Sequence, residues 1–273
     1  MATKRIRKAA GARRTAKREI YNKYGIEFKG GKLLSPMGTW IEPLLKEGND
    51  KTGHEVFTWS VFPGTHEYTL TVNGKDTVIS GTCCCNCTGC YAMLKRYKMQ
   101  NVQDSMALNT LLTVHYLDFV RRAISAQLET IGRGEVRIHA AGDFNTPNAD
   151  EYAAMWHGIA ETFPAFRFWT YTKVRRFEGL FDDLRNANIV KSVIPDIGVN
   201  FGHCEYVINA YYTLRSAGKK VYICRCGIDP DQHCERCGVC SAYDYVLFVE
   251  HSTNYKAQDD PLFPKLVEIV NAQ

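Results

Sequence analysis

The sequence lacks any long apolar run: nowhere do about eighteen consecutive apolar residues occur, which excludes a membrane-spanning helix. Its N-terminus lacks the apolar stretch and small-residue cleavage site of a secretory leader. It also lacks an internal repeat, so solenoid and array architectures are excluded. With eleven cysteines, an odd number, an all-disulfide scheme would leave one thiol over. These absences predict a cytoplasmic protein with no membrane partner, whose thiols are reduced and are ligands or catalysts rather than bridge halves.

What the chain does have is ample apolar material. At 273 residues and 45% hydrophobic composition it can bury one large α/β core or two smaller ones without a staple. Metal bound by its cysteines therefore serves a purpose beyond folding. The net charge of +5 is unevenly spread. Residues 1–24 carry nine Lys or Arg (Lys4, Arg5, Arg7, Lys8, Arg13, Arg14, Lys17, Arg18, Lys23) against the single Glu19. Such an arm is either a solvated leader or a contact for the phosphate backbone of a nucleic acid.

Three stretches follow from the pattern: a basic arm over 1–24, a β-rich extension over 25–75, and a βα region over 76–273. The extension holds "EVFTWSVFP" and "YTLTVNGKDTVISGT", in which Asn73-Gly74 signals a hairpin turn. Beyond residue 76, strand "TVISGT" runs into a cysteine cluster. One long helix then carries Leu108, Leu112, Tyr116, Phe119, Val120, Ala123, Ile124 and Leu128 at helical spacing. Strand "EVRIHAAGDF" precedes a helix with Asn148 and Glu151 as a capping pair, which stops at Phe163-Pro164. Strand "FRFWTYTK", a short helix around "FEGLFDDLRN", strand "VIPDIGVNFG" and a helix from about Glu205 to Ala217 come next. Strands "KKVYICRCG" and "YDYVLFVEH" and a last helix, "LFPKLVEIV", complete the series. The alternation predicts an α/β fold with parallel pairing, either a partial (βα)5–6 barrel or a doubly wound sheet. Chemistry in both belongs at the carboxyl ends of the strands.

The first cysteine cluster, "GTCCCNCTGCYA", places Cys83, Cys84, Cys85, Cys87 and Cys90 directly after a strand. Two ligand registers coexist. Cys84, Cys87 and Cys90 have the C-x2-C-x2-C spacing of ferredoxin-type loops around a 4Fe–4S cube. Cys83, Cys87 and Cys90 give C-x3-C-x2-C, which leaves one iron without a protein ligand; zinc is the alternative metal. The second cluster, "CRCGIDPDQHCERCGVC", offers Cys226, Cys234, Cys237 and Cys240 as four ligands that would close a second site, with Cys224 and His233 nearby. It would be an auxiliary 4Fe–4S cluster or a zinc site.

Strand ends supply the remaining candidates. His139 and Asp143 lie four positions apart and share a face if the strand stays extended, although Gly142 suggests a bend. Thr170, Tyr171, Thr172 and Lys173 form a candidate substrate wall, with Lys173 placed to meet a carboxylate or phosphate. Asn200, His203, Cys204 and His251 occupy equivalent ends.

The C-x3-C-x2-C loop, the βα alternation and the "GD" at a second strand end resemble the radical S-adenosylmethionine superfamily. That resemblance implies an enzyme in which S-adenosylmethionine binds the open iron and an electron donor supplies the reducing equivalent. It implies Gly142 and Asp143 as holders of the cofactor's amino group. The aromatic residue those enzymes carry before the last cysteine is Gly89 here, with Tyr91 just after as the cofactor-binding candidate. The ordered motifs "WSVFPG", "CYA", "RIHAAGDF", "EYAAMWHGIA", "FRFWTYTK", "CERCGVC" and "VLFVEH" resemble the gene-product-88 family of bacteriophage and plasmid proteins over about residues 55–251. This second resemblance implies a phage-encoded protein working in the bacterial host cytoplasm.

Overall fold

The computed structural model describes residues 15–48, 54–84, 92, 95–194, 198–225, 228–229, 237–249 and 256–273. Of the basic arm, residues 1–14 lie outside this range, and 15–23 are helical. The helix end is docked on the body. Lys23 Nζ reaches the Glu129 carboxylate at 2.9 Å, and the Tyr24 hydroxyl donates to the same group at 2.7 Å.

Among the described residues fifteen short strands follow. β1 (Phe28–Lys29), β2 (Lys32–Leu34) and β3 (Trp40–Ile41) form an antiparallel meander. β4 (Lys46–Glu47) and β5 (Val56–Thr58) lead into a five-stranded sheet ordered β10-β9-β8-β5-β4. There β8 is Gly134–Ile138, β9 Phe166–Thr172 and β10 Ala187–Lys191. β5, β8, β9 and β10 are mutually parallel; of these, β8 and β9 are strands of the expected βα series. β6 (Glu67–Val72) and β7 (Lys75–Ser80) make a separate hairpin closed at Asn73-Gly74, both with positive φ. β11 (Val193–Ile194) and β12 (Gly198–Val199) form a two-stranded ribbon. A second parallel sheet has the order β13-β15-β14, from β13 (Phe201–Gly202), β14 (Val221–Ile223) and β15 (Tyr245–Val249).

Among the described residues these sheets are covered by helices α1 (Gln100–His115), α2 (Leu117–Ile131), α3 (Ala149–Thr162), α4 (Cys204–Ser216) and α5 (Phe263–Asn271). One apolar core joins Val136, Ile138, Phe166 and Phe168 of the first sheet to Ile124 and Leu128 of α2 and Tyr152, Trp156 and Ile159 of α3. A second joins β14 and β15 to α4 and α5 through Ile223, Leu247, Val207 and Leu266.

The structure revises several expectations. The single long helix is two, broken at Tyr116 (φ −139°, ψ 43°). The break lets α1 pack Met106 and Leu111 on the hairpin while α2 faces the sheet. Strand "TVISGT" pairs antiparallel in that hairpin rather than opening the parallel series; β5 opens it instead. A boundary between residues 75 and 76 therefore falls inside β7, and the lead-in residues Ile26, Leu33, Ile41 and Leu44 belong to the first core. Asn148 does not cap α3 with its side chain. Its amide donates instead to the Thr113 carbonyl at 2.9 Å. The helix expected around "FEGLFDDLRN" is a three-residue turn of 3-10 helix, Arg175–Phe177. Among the described residues no closed barrel forms, and β15 sits between β13 and β14, so the strands are not wound in consecutive order.

Candidate metal centres

The segment after β5 builds the first centre. Trp59 and Val61 continue the ladder beside the strand carrying residues 137–141, through Trp59 N–H to Arg137 O (3.1 Å) and Val61 N–H to Ala141 O (3.1 Å). On its other side the segment receives Thr82 N–H at Phe62 O (2.9 Å) and Cys83 N–H at Gly64 O (3.0 Å). The close approach depends on Gly142. It adopts φ +83°, and a Cβ there would fall 2.7 Å from both Val61 O and Thr82 Oγ1. The "GD" of "RIHAAGDF" thus lets the cysteine-bearing strand reach the sheet's carboxyl edge.

At that edge Cys83 and Cys84 differ. The Cys83 sulfur accepts the Gly64 backbone N–H at 3.2 Å, while the Cys84 thiol donates to the Lys173 carbonyl at 3.7 Å. An N–H aimed at sulfur favours a thiolate and tunes a bound cluster. The Gly64 N–H at the Cys83 sulfur suits the register that starts at Cys83. Cys85, Cys87, Cys90 and Tyr91 lie outside the described residues. A cavity of about 300 Å³ opens between Phe62, Pro63 and His66 on one side and Tyr97, Lys98, Gln103 and Met106 on the other.

Asp143 ties this edge together. Its buried carboxylate accepts the Phe144 N–H (2.7 Å), the Thr172 hydroxyl (2.6 Å) and the Lys173 N–H (2.8 Å), and its own N–H donates to Thr82 Oγ1 (3.1 Å). Desolvation pushes its pKa up, opposed by these hydrogen bonds. One carboxylate thus binds the end of β9 to the loop after β8. His139 lies beneath, at φ +57°. Its Nδ1 meets Thr170 Oγ1 at 3.2 Å and its Nε2 the Tyr152 hydroxyl at 2.8 Å, which also accepts from Trp59 Nε1 at 2.7 Å. Burial lowers the His139 pKa to about 3, so the ring is neutral.

Strand periodicity divides the expected substrate wall. Thr170 and Thr172 point toward α3 and serve His139 and Asp143, while Tyr171 points to the opposite face. His139 and Asp143 do meet the same side of β9, although β8 ends before either. Asn200 is consumed in structure: buried, it donates from Nδ2 to Val246 O at 2.9 Å. Cys204 is buried in the second core and His203 precedes α4. His251 is outside the described residues.

The second centre lies between the two sheets. Glu135, Trp169, Tyr222, Cys224, Cys237, Cys240 and Val246 line one small cavity of about 20 Å³. The face of the first sheet turned to it is polar for a buried sheet. Glu135 pairs with Arg167, and the Arg137 guanidinium lies 5.2 Å from the Trp169 ring and 5.4 Å from Tyr171. The Tyr171 hydroxyl contacts the Cys240 sulfur at 2.8 Å, and desolvation with the Cys240 charge raises its pKa well above the usual value. Asn188 of β10 donates to Cys240 O (2.8 Å) and Tyr243 O (2.9 Å), fixing the cysteine turn. Gly238 holds φ +62°, with its would-be Cβ 2.9 Å from Arg167 Nη1, so the turn sits against the guanidinium.

Cys226, Cys234 and His233 are outside the described residues. None of the described cysteines forms a disulfide. An all-thiol set flanked by arginines suits zinc or iron. The described residues alone contain no group of three or more His, Cys, Asp or Glu already placed to hold a metal ion, so the three thiols share the cavity without converging on one point. Sequence reasoning passed over Cys224 because the C-x2-C spacing drew attention to the cysteines downstream. The signal was there in the alternation of "VYIC", which puts Tyr222 and Cys224 on one face.

Among the described residues no helix is long and apolar enough to cross a membrane. Comparison with protein families matches residues 43–241 to the family described as Gene product 88. The match spans both cysteine segments. No curated protein and no solved structure matches the chain.

Proposed function

The chain belongs to the gene product 88 family, and we propose that it is a phage-encoded iron–sulfur enzyme of the host cytoplasm, with a reactive site at the sheet edge and a supporting metal site between the sheets. The reading is carried by one observation: the Cys83 sulfur receives the backbone N–H of Gly64 at the carboxyl edge of a parallel sheet, and the preceding Pro63 lines a cavity of about 300 Å³. Cavities of roughly this size accommodate small-molecule ligands.

In this reading Cys83, Cys87 and Cys90 hold a 4Fe–4S cluster with one iron left open. When bound, that group supplies electrons for reductive cleavage of S-adenosylmethionine. The chain's own part is positional. Gly64 and Thr82 fix the first thiolate, Asp143 locks β9 against the loop, and Lys98 and Gln103 offer polar contacts on an otherwise largely apolar cavity wall. Asp143 spends its oxygens on three donors of this chain, so a cofactor amino group would have to share them.

The test is anaerobic purification with iron, sulfide and zinc analysis, then dithionite and S-adenosylmethionine with assay for 5′-deoxyadenosine. About four irons per first site and formation of that product are expected. Stoichiometric zinc without iron would sink the proposal. Bound iron that is reversibly reduced without product would reduce the reading to a redox protein. At the second site the cavity of about 20 Å³ favours a single ion, hence zinc, because it offers room on the scale of one water.

A further inference from the structure

We infer that Cys224, rather than Cys226, is the thiol that follows β14 into the metal site between the sheets. The inference rests on the reading above that the second cysteine set binds metal.

Alternation along β14 is the starting point. Val221 and Ile223 are buried in the second core, which leaves Tyr222 and Cys224 on the other face, and both line the inter-sheet cavity. The Cys224 N–H donates to Leu247 O at 2.8 Å, so the ladder with β15 still holds the chain at this residue. It stops there. Arg225 begins a turn that accepts the N–H groups of Ile228 and Asp229, both at 2.8 Å, and its guanidinium donates to Val270 O of α5 at 3.0 Å. The Arg225 side chain thus reaches α5, on the opposite side of the sheet from the cavity.

Cys237 and Cys240 reach the same cavity from a turn pinned by Asn188 and Tyr171. Arg137 and Arg167 supply positive charge on the facing sheet, Arg137 5.4 Å from the Tyr171 ring and Arg167 against the Gly238 turn. A rigid ladder on one side and a pinned turn on the other are the fixed supports a metal site needs. The last described ladder bond is at Cys224, and by Arg225 the chain has entered a turn.

Cobalt(II) titration of the full chain under anaerobic conditions tests this, since the thiolate-to-cobalt charge-transfer band counts coordinated thiolates. Cys224→Ser should lose at least one thiolate's share of the band and release metal more readily to a chelator. Cys226→Ser should match wild type on both. Cys224→His, which keeps a ligand at that position, should retain cobalt with a weaker charge-transfer band, separating lost ligation from misfolding. Loss in Cys226→Ser with Cys224→Ser unchanged overturns the inference, as does equal loss in both. A wild-type chain that binds no cobalt through thiolates overturns the metal reading itself and the inference with it.

Discussion

The two cysteine regions occupy opposite kinds of ground. The first stands at the rim of a sheet, where the Cys83 sulfur receives the Gly64 N–H, the Cys84 thiol meets the Lys173 carbonyl, and the nearby Pro63 lines an open cavity. The second is enclosed between two sheets, with its thiols flanked by Trp169, Tyr171 and arginines and its turn clamped by Asn188. Both meet on β9. Cys84 contacts the Lys173 carbonyl, and Cys240 contacts Tyr171 two residues earlier, roughly 7 Å along the strand. The contrast teaches that one strand can meet one thiol through a backbone carbonyl at its end and another through a side chain on its flank.

The sharpest way to break this comparison is to remove one thiol from each region. Cys240→Ser should lower stability by roughly 4 kcal/mol or more, measured by urea unfolding, because it dismantles a site that holds two sheets together. Cys83→Ser should cost only about 1 kcal/mol while abolishing iron at the edge. Equal destabilisation by both would erase the distinction. A slightly smaller effect, about 3 kcal/mol, is expected for Gly142→Ala, whose methyl group would press on Val61 O and Thr82 while holding φ +83°. That variant should disturb iron at the edge and leave cobalt binding between the sheets intact.

The pH dependence gives a third probe, confined to the helix side of the sheet. The His139 pKa is lowered by burial to about 3, whereas the unfolded chain takes up this proton near 6.5. Its neutral form therefore supports the fold above pH 6.5, and that support falls away as pH drops from 6.5 toward 3. Between pH 7 and pH 5 the chain should lose about 2 kcal/mol on this account. His139→Asn, a residue that tolerates the left-handed backbone, should flatten the slope in urea midpoints across that interval. The mildest change, Tyr171→Phe, should cost about 1 kcal/mol. It should loosen the metal between the sheets and leave edge iron content at the wild-type level.

Local features were readable from the sequence where local forces decide them. The Asn73-Gly74 turn, the seven residues of β9 and the end of α3 at Phe163-Pro164 all fall where pattern and turn chemistry place them. Long-range choices were not. β10 reads as an unremarkable "ANIVK", and Asn188 in its middle has meaning only once Cys240 and Tyr243 are beside it. Asn148 looks like a helix cap until Thr113 of α1 is seen to accept its amide. The break at Tyr116 interrupts an unbroken apolar stripe, because packing on two separate partners, hairpin and sheet, outweighs continuity of one helix. Of the candidate site residues, the clustering of thiols was plain, while the sidedness of Tyr171 against Thr170 and Thr172 required the strand's exact start.

The strand order of the second sheet has a further consequence, for the sequence of events as the chain emerges from the ribosome. All the strands of the first sheet have been synthesised by residue 191, and its order is nearly that of the chain. The second sheet is the reverse case: β13 and β14 do not touch, and both wait for β15, which is made after them and must enter between them. Until then β14 has no strand beside it in this sheet and the core it shares with α4 lacks the side chains of Tyr245, Leu247 and Val249, leaving apolar surface of the kind through which nascent chains aggregate. The cysteine turn just ahead of β15 delivers that strand. Metal captured there would act as a latch at the last step of assembly, and a host cell starved of metal would accumulate chains with the first half folded and the second half open.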